Sequence, residues 1–171
     1  NAYSSSGIDG LGNEAITISD TSINVSALNT LDANTTGIID ASTITTLSGS
    51  ASALNNAYSS SGISGLGNEA ITISDTSIDA AVLNTLDENT TGIIDASTIT
   101  TLSGSASALN NAYSSSGIDG LGNEAIFVNS GTSSVFLANN LSAATSGVVS
   151  ATLSDGDMAT LANLNENGNA Y

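Results

Sequence analysis

A long internal repeat constrains the fold of this chain more than any other feature of its sequence. The octapeptide that begins at Asn1 recurs at Asn56 and again at Asn111, and the first two copies of the unit differ at only six positions. Repeats of this kind are typical of folds in which each unit packs on its neighbours and cannot bury its apolar face alone. We therefore predict one continuous array, a piece of a longer one, with repeat units at residues 1–55, 56–110 and a divergent 111–171.

Each unit enters its first strand through a turn rich in glycine and asparagine. Residues 10–20 read Gly-Leu-Gly-Asn-Glu-Ala-Ile-Thr-Ile-Ser-Asp, and the same sequence recurs at residues 65–75. The alternation of apolar and polar residues after a tight turn predicts a short strand. A second strand is predicted from residue 38 onward, where apolar residues follow another glycine.

A short helix is predicted after each strand. Leu28 and Leu31 stand at helical spacing after Asn24, which is a possible N-cap, as is Asp79 in the second unit. The other half of the unit carries a stripe of Leu54, Ala57 and Tyr58 after Ser48 or Ser50, either of which is a plausible cap.

The predicted fold is therefore a repeat solenoid of the α/β type, with one short parallel strand and one short helix in each coil. A pure β-solenoid is the alternative, because Thr, Ser and Asn are abundant. The residues predicted to point inward are Ile16, Ile18, Leu28, Leu31, Ile39, Leu47 and Leu54, with Ile71, Ile73, Leu83, Leu86, Ile94, Leu102 and Leu109 repeating them.

The charge composition excludes several classes of function. The chain has no Lys, Arg or His and 16 acidic residues, so its formal net charge is −16. It cannot neutralise phosphate, so we expect no nucleic-acid partner, and no apolar run is long enough for membrane insertion. Without His, Cys or Lys, and with acids that recur along the repeat instead of converging, the chain is not expected to be an enzyme. The absence of Cys fits an extracellular protein without disulfides.

Calcium is the one cofactor that the composition suggests, although none is required. Carboxylates and the carbonyls of glycine-rich turns are ligands that calcium prefers. The alternative is that most acids are solvated, and that the glutamate after each Gly-Asn pair caps its own turn through a backbone hydrogen bond. The calcium candidates are Asp9, Glu14, Asp20, Asp40, Glu69, Asp75, Asp95 and Glu124.

Two further side-chain patterns recur with the unit. Tyr3, Tyr58 and Tyr113 are expected to pack their rings on the next coil and to leave the hydroxyl in water. Threonine-rich stretches such as residues 43–46 raise the minor possibility of an ice-binding solenoid, in which a regular row of hydroxyls orders water.

Long segments of the chain resemble the repeats of very large surface proteins of marine unicellular cyanobacteria, one of which is tied to swimming motility. The segments that carry the resemblance include residues 28–37, 44–49, 62–70 and 147–157. The resemblance implies an extracellular, repetitive, acidic surface protein. The leading hypothesis is a structural module that associates end to end into filaments, and the second is a calcium-stiffened adhesin that acts as a binding module.

Overall fold

Short β-strands alternate with short α-helices throughout the computed structural model, which describes residues 9–165 and 168–171. The strand pairs in these ranges are all parallel. Consecutive parallel strands need a crossover between them, and here the helices and turns supply it. The α/β class and the repeating order of strands and helices confirm the coarse part of the predicted fold.

The helices form where apolar residues stand at helical spacing, so the alternative of a pure β-solenoid is wrong. Each helix follows a residue whose side chain accepts a hydrogen bond from a backbone N–H of the first turn, and the predicted caps Asn24, Ser50 and Asp79 are confirmed. The helices are α1 Val25–Asp32, α2 Ala51–Ser59, α3 Ala80–Asn89, α4 Ala106–Ser114, α5 Val135–Ala144 and α6 Met158–Leu161.

The strands are only two to four residues long, because Gly, Ser, Asp and Thr interrupt the apolar runs. They are β1 Ile16–Thr17, β2 Ser22–Asn24, β3 Ile39–Asp40, β4 Thr46–Gly49, β5 Ile63–Ser64, β6 Ala70–Ile73, β7 Ser77–Asp79, β8 Ile94–Asp95, β9 Thr101–Gly104, β10 Ile118–Asp119, β11 Ala125–Val128 and β12 Val149–Ser150.

The strands form three sheets in the orders β1-β3-β5, β10-β8-β6-β4-β2 and β12-β11-β9-β7. Ile16 of β1 pairs with Ile39 of β3, and Leu47 of β4 pairs with Ile71 of β6. Each helix from α1 to α4 also packs against the next one. These paired strands therefore join segments that lie about half a repeat unit apart in sequence.

The prediction of one strand for each helix is wrong. Two strands lie between α1 and α2, three between α2 and α3, two between α3 and α4, and two between α4 and α5. The segment between α2 and α3 contains β5, β6 and β7. On one side β5 pairs with β3 and β6 pairs with β4, and on the other side β6 pairs with β8 and β7 pairs with β9. As a result the central sheet ends after five strands, and the next sheet begins beside it.

The core is a row of aliphatic side chains from strands and helices that recurs with the repeat. Of the residues predicted to point inward, all but Ile16 and Leu31 are buried, and those two are half-buried. Their equivalents Ile71 and Leu86 are fully buried. Ile71 has a paired strand on both sides, whereas Ile16 has one on a single side, which explains the difference.

Candidate functional site

The glutamate turn, which we define as residues 10–14, 65–69 and 120–124, folds its acidic side chain back onto its own backbone. Gly67 donates its N–H to both carboxylate oxygens of Glu69, at 3.1 and 2.9 Å. Gly65 and Gly67 have φ angles of +86° and +137°, which favour glycine. The same bond joins Gly12 to Glu14 and Gly122 to Glu124, so the predicted turn-capping role of the glutamate is confirmed.

A tyrosine at the end of the preceding helix completes the coordination of each buried carboxylate. Tyr58 donates its hydroxyl to Glu69 at 2.8 Å, and Tyr113 donates to Glu124 at 2.6 Å. Glu69 and Glu124 are both 0% exposed. The expectation that these tyrosine hydroxyls remain in water is therefore wrong for Tyr58 and Tyr113, and Tyr3 lies outside the described residues.

A third element, the threonine turn, contacts the glutamate turn. We define it as residues 35–37, 90–92 and 145–147, which follow α1, α3 and α5. Thr90 donates its hydroxyl to the backbone carbonyl of Glu69 at 2.8 Å and accepts the N–H of Gly92 at 3.0 Å. Thr91 donates its N–H to the carbonyl of Gly67 at 2.9 Å. A Cβ at Gly92 would overlap the backbone carbonyl of Glu69, so the two turns approach too closely for any other residue.

Both the first and the third unit repeat this contact between turns. Thr35 and Thr145 donate their hydroxyls to the carbonyls of Glu14 and Glu124, at 2.9 and 2.8 Å. We call the whole arrangement the glutamate lock. It consists of Tyr58, Gly67, Glu69, Thr90 and Gly92 in the second unit and of Tyr113, Gly122, Glu124, Thr145 and Gly147 in the third.

Neutral dipoles, and not cations, stabilise the buried carboxylates. The chain has no basic side chain to pair with Glu69, so N–H and O–H donors take that role. Burial, the hydrogen bond to Glu69 and the charge of Glu69 together raise the pKa of Tyr58, while Thr90 acts in the opposite direction. The pKa of Tyr113 is raised for the same reasons, with Glu124 and Thr145 as the partners. Each tyrosine is therefore held as a neutral donor, which fits a structural role better than acid–base chemistry.

The structure scatters the calcium candidates instead of gathering them. Among residues 9–165 and 168–171, no group of three or more acidic side chains could hold a metal ion. Glu14, Glu69 and Glu124 belong to the glutamate turns, while Asp9 and Asp20 are exposed.

The other calcium candidates have local structural roles. Asp40 and Asp95 accept the backbone N–H groups of Ser42 and Ser97, and interaction with the side chains of these serines lowers the pKa of both aspartates. Asp75 accepts the N–H of Ala51, the first residue of α2, at 2.7 Å.

The hydrogen bond from Ala51 to Asp75 satisfies a backbone N–H group at a helix N-terminus, and its acceptor comes from a neighbouring segment of the chain. The first turn of a helix leaves backbone N–H groups without partners, and a carboxylate there is favoured by the helix dipole. Asp155 accepts the N–H of Val135 at the start of α5, at 2.6 Å, as Asp75 does for α2. No local pattern in the sequence signals this pairing, because the two partners are far apart along the chain.

Asparagine and threonine side chains form a second set of contacts between segments that are distant in sequence, and the sequence analysis missed them. Asn29, Asn55 and Asn84 donate their amides to backbone carbonyls of the next helix, at 2.9, 3.1 and 3.0 Å. Thr45 and Thr100 donate their hydroxyls to the carbonyls of Thr21 and Thr76, both at 3.0 Å. Recurrence at the repeat spacing is the one sequence signal that could have found these contacts. Since these hydroxyls bond to the backbone, they are less suited to ordering ice.

Comparisons of the chain with protein-family models, with curated proteins and with solved structures found no match. None of the helices within the described ranges is long and apolar enough to cross a membrane. The class of protein must therefore be inferred from the geometry of the repeat itself.

Proposed function

We propose that this chain is a structural repeat module of a large acidic extracellular surface or fibre-forming protein, folded as a solenoid. The observation that carries the proposal is the glutamate lock. It recurs at the repeat spacing and uses the most unusual polar groups of the chain, buried Glu and half-buried Tyr, to join neighbouring segments. A fold in which each unit repeats the same buried polar contacts between its two halves is suited to making an array of many units.

Local pairing along the chain supports the solenoid. Strand partners such as Ile16 and Ile39, or Ile23 and Leu47, lie about half a repeat unit apart in sequence, and each helix from α1 to α4 packs on the next. In repeat proteins of this kind, stability grows with the number of neighbour interfaces. The full repeat unit is the natural period, since its two halves differ in sequence and carry three and two strands in the second unit.

End-to-end association follows from the same packing. Every unit carries a similar face of strand backbone and aliphatic side chains, so one copy can stack on another as one unit stacks on the next. The net charge of −16 opposes the approach of two copies, and salt reduces this repulsion because the screening length falls from about 8 Å at 0.15 M to about 3 Å at 1 M. The extracellular location is proposed from the composition and from the resemblance to cyanobacterial surface proteins.

A pair of deletions tests the proposal. Removal of residues 56–110 takes out a whole unit and should leave a chain that unfolds cooperatively, because every remaining neighbour contact has its partner. Removal of residues 56–82 takes out about half a unit and should destabilise the chain strongly, since β8, β9 and Thr90 remain but lose the strands and the turn with which they pair. Urea unfolding of both variants makes the comparison, and equal stability of the two would refute the full repeat as the stacking unit.

A calcium-stiffened adhesin is the second candidate function. It is favoured by the register of Asp95 with Asp119 on adjacent strands, which places two like charges about 5 Å apart. A ligand that binds only the folded chain stabilises it by RT ln(1 + [L]/Kd). A large rise in Tm when calcium replaces EDTA would support this candidate, and an equal effect of magnesium would indicate general charge screening instead.

A further inference from the structure

One row of outward-facing residues differs sharply between the second and the third sheet. In the five-stranded sheet the register places side by side Ser48, Thr72, Asp95 and Asp119. In the four-stranded sheet the row at the equivalent repeat positions contains Ser103, Phe127 and Ser150, and a single bridge continues it to Ala170. The row of the four-stranded sheet thus lacks these carboxylates and has an aromatic ring instead.

The aromatic ring borders an open groove. Phe127 is 46% exposed, although its equivalents in the first two units are the threonines Thr17 and Thr72. On one side its in-register neighbour Ser150, and Ala170 beyond that serine, are small, so they leave one flank of the ring uncovered. A groove of about 430 Å³ occupies this space, and its wall also includes Asn129, Thr152 and Tyr171.

The chemistry of the groove is unusual for this chain. Its described lining combines two aromatic side chains with hydroxyl and amide groups and includes no acidic side chain, although the chain carries 16 acidic residues. A volume of this size and a mixture of apolar surface with a few polar groups are typical of small-molecule binding sites. The absence of charged side chains from the described lining favours an uncharged ligand, and the net charge of the chain repels anionic polymers.

We propose that this groove binds a neutral polysaccharide. Sugar rings offer an apolar face that can lie on Phe127 and hydroxyl groups that can exchange hydrogen bonds with Asn129, Ser150 and Thr152. A cationic ligand would be attracted more strongly to the acid-bearing row of the central sheet. A purely apolar ligand would leave the polar groups of the groove without partners, which is costly.

Affinity electrophoresis in native gels tests the proposal with the whole chain. The chain migrates toward the anode, and gels cast with neutral dextran or hydroxyethyl cellulose should retard it, whereas gels with anionic alginate should not. Phe127→Thr restores the residue of the other units, and Ser150→Asp restores the carboxylate of Asp40 and Asp95, so both variants should fold. We expect each variant to weaken the apparent affinity for at least one neutral polysaccharide about tenfold or more, after mobility is normalised to a gel without polysaccharide.

Phe136→Ser is the matched control, because Phe136 is 71% exposed and does not line the groove. It should retain the affinity of the parent chain. The proposal is overturned if neither neutral polysaccharide retards the chain, if Phe127→Thr binds as tightly as the parent, or if Phe136→Ser loses as much affinity. Sedimentation velocity adds one more outcome. A Phe127→Thr variant that loses self-association but not retardation would assign the groove to a second copy of the chain. None of these outcomes depends on the stacking of units, so the proposed structural function can stand if this inference fails.

Discussion

Tyr113 donates a hydrogen bond of 2.6 Å to Glu124, and the glutamate is fully buried although the chain has no cation to pair with it. The relationship between Tyr58 and Glu69 is the same one unit earlier. A buried carboxylate that depends on neutral donors is sensitive to the loss of any of them. The glutamate lock is therefore the part of the structure at which conservative substitutions should have large effects.

Removal of one hydroxyl tests the energetic role of the lock. Tyr113→Phe keeps the ring but leaves the carboxylate of Glu124 with one donor fewer, so we expect a loss of about 1–3 kcal/mol in the free energy of unfolding. Tyr171→Phe is the matched control, because the Tyr171 hydroxyl donates a long bond of 3.5 Å to the backbone carbonyl of Asn165, whereas Tyr113 donates to a buried carboxylate. Urea unfolding measures both variants. Equal effects of the two substitutions would show that the lock contributes little.

Alkaline titration tests the raised pKa values of Tyr58 and Tyr113. A tyrosine whose pKa is higher in the folded state contributes stability that is fully present below its unfolded pKa of about 10 and is lost as the pH rises through the folded value. We expect tyrosinate absorbance from these residues to appear only above pH 10 and together with unfolding. In Tyr58→Phe/Tyr113→Phe this late phase should disappear. Its persistence in the double variant would assign it to other tyrosines.

Glycine at the threonine turn is required by the close approach of two backbones. Gly92→Ala would force its Cβ into the carbonyl of Glu69, and we expect a loss of more than about 2 kcal/mol. Gly156→Ala is the control, because nothing lies within 4 Å of the added Cβ, and its effect should stay within about 0.5 kcal/mol. Circular dichroism with thermal and urea unfolding distinguishes them. A tolerated Gly92→Ala would contradict the described contact between the turns.

Burial of the helix face predicts the effect of a core truncation. Leu86 is fully buried in α3, so Leu86→Ala should cost about 2–5 kcal/mol in the free energy of unfolding. Phe136→Ala removes a larger side chain that is 71% exposed and should cost far less. If the order of the two effects were reversed in urea unfolding, the assignment of the buried face would be wrong.

The repeating parts of the fold were predictable from the sequence because they depend on local patterns. The apolar spacing of Leu83 and Leu86 and the caps at Asn24 and Ser50 are sufficient to place helices, and the structure agrees. The number of strands between helices was not predictable from these patterns. The strands that begin at Ile39 and Ile63 are only two residues long, and such short segments become strands only when a neighbouring strand pairs with them.

The glutamate lock was half predictable. The recurrence of Gly-Asn-Glu indicated that Glu69 caps its turn, which concerns residues only two positions apart. The bonds from Tyr58 and Thr90 join residues that are much further apart in sequence. Contacts at such separations depend on how the segments stack, and a single sequence carries no signal for them beyond the shared period.

Small-angle X-ray scattering of chains with zero, one and two extra copies of residues 56–110 tests the central claim most directly. If each repeat unit forms two successive coils of a solenoid, each insertion should lengthen the particle by about 10 Å, because adjacent strands lie about 4.8 Å apart. The cross-sectional radius should stay constant. Measurements at several concentrations and salt levels separate this growth from association between copies. Insertions that enlarge the cross-section, or that leave the maximum dimension unchanged, would contradict the account.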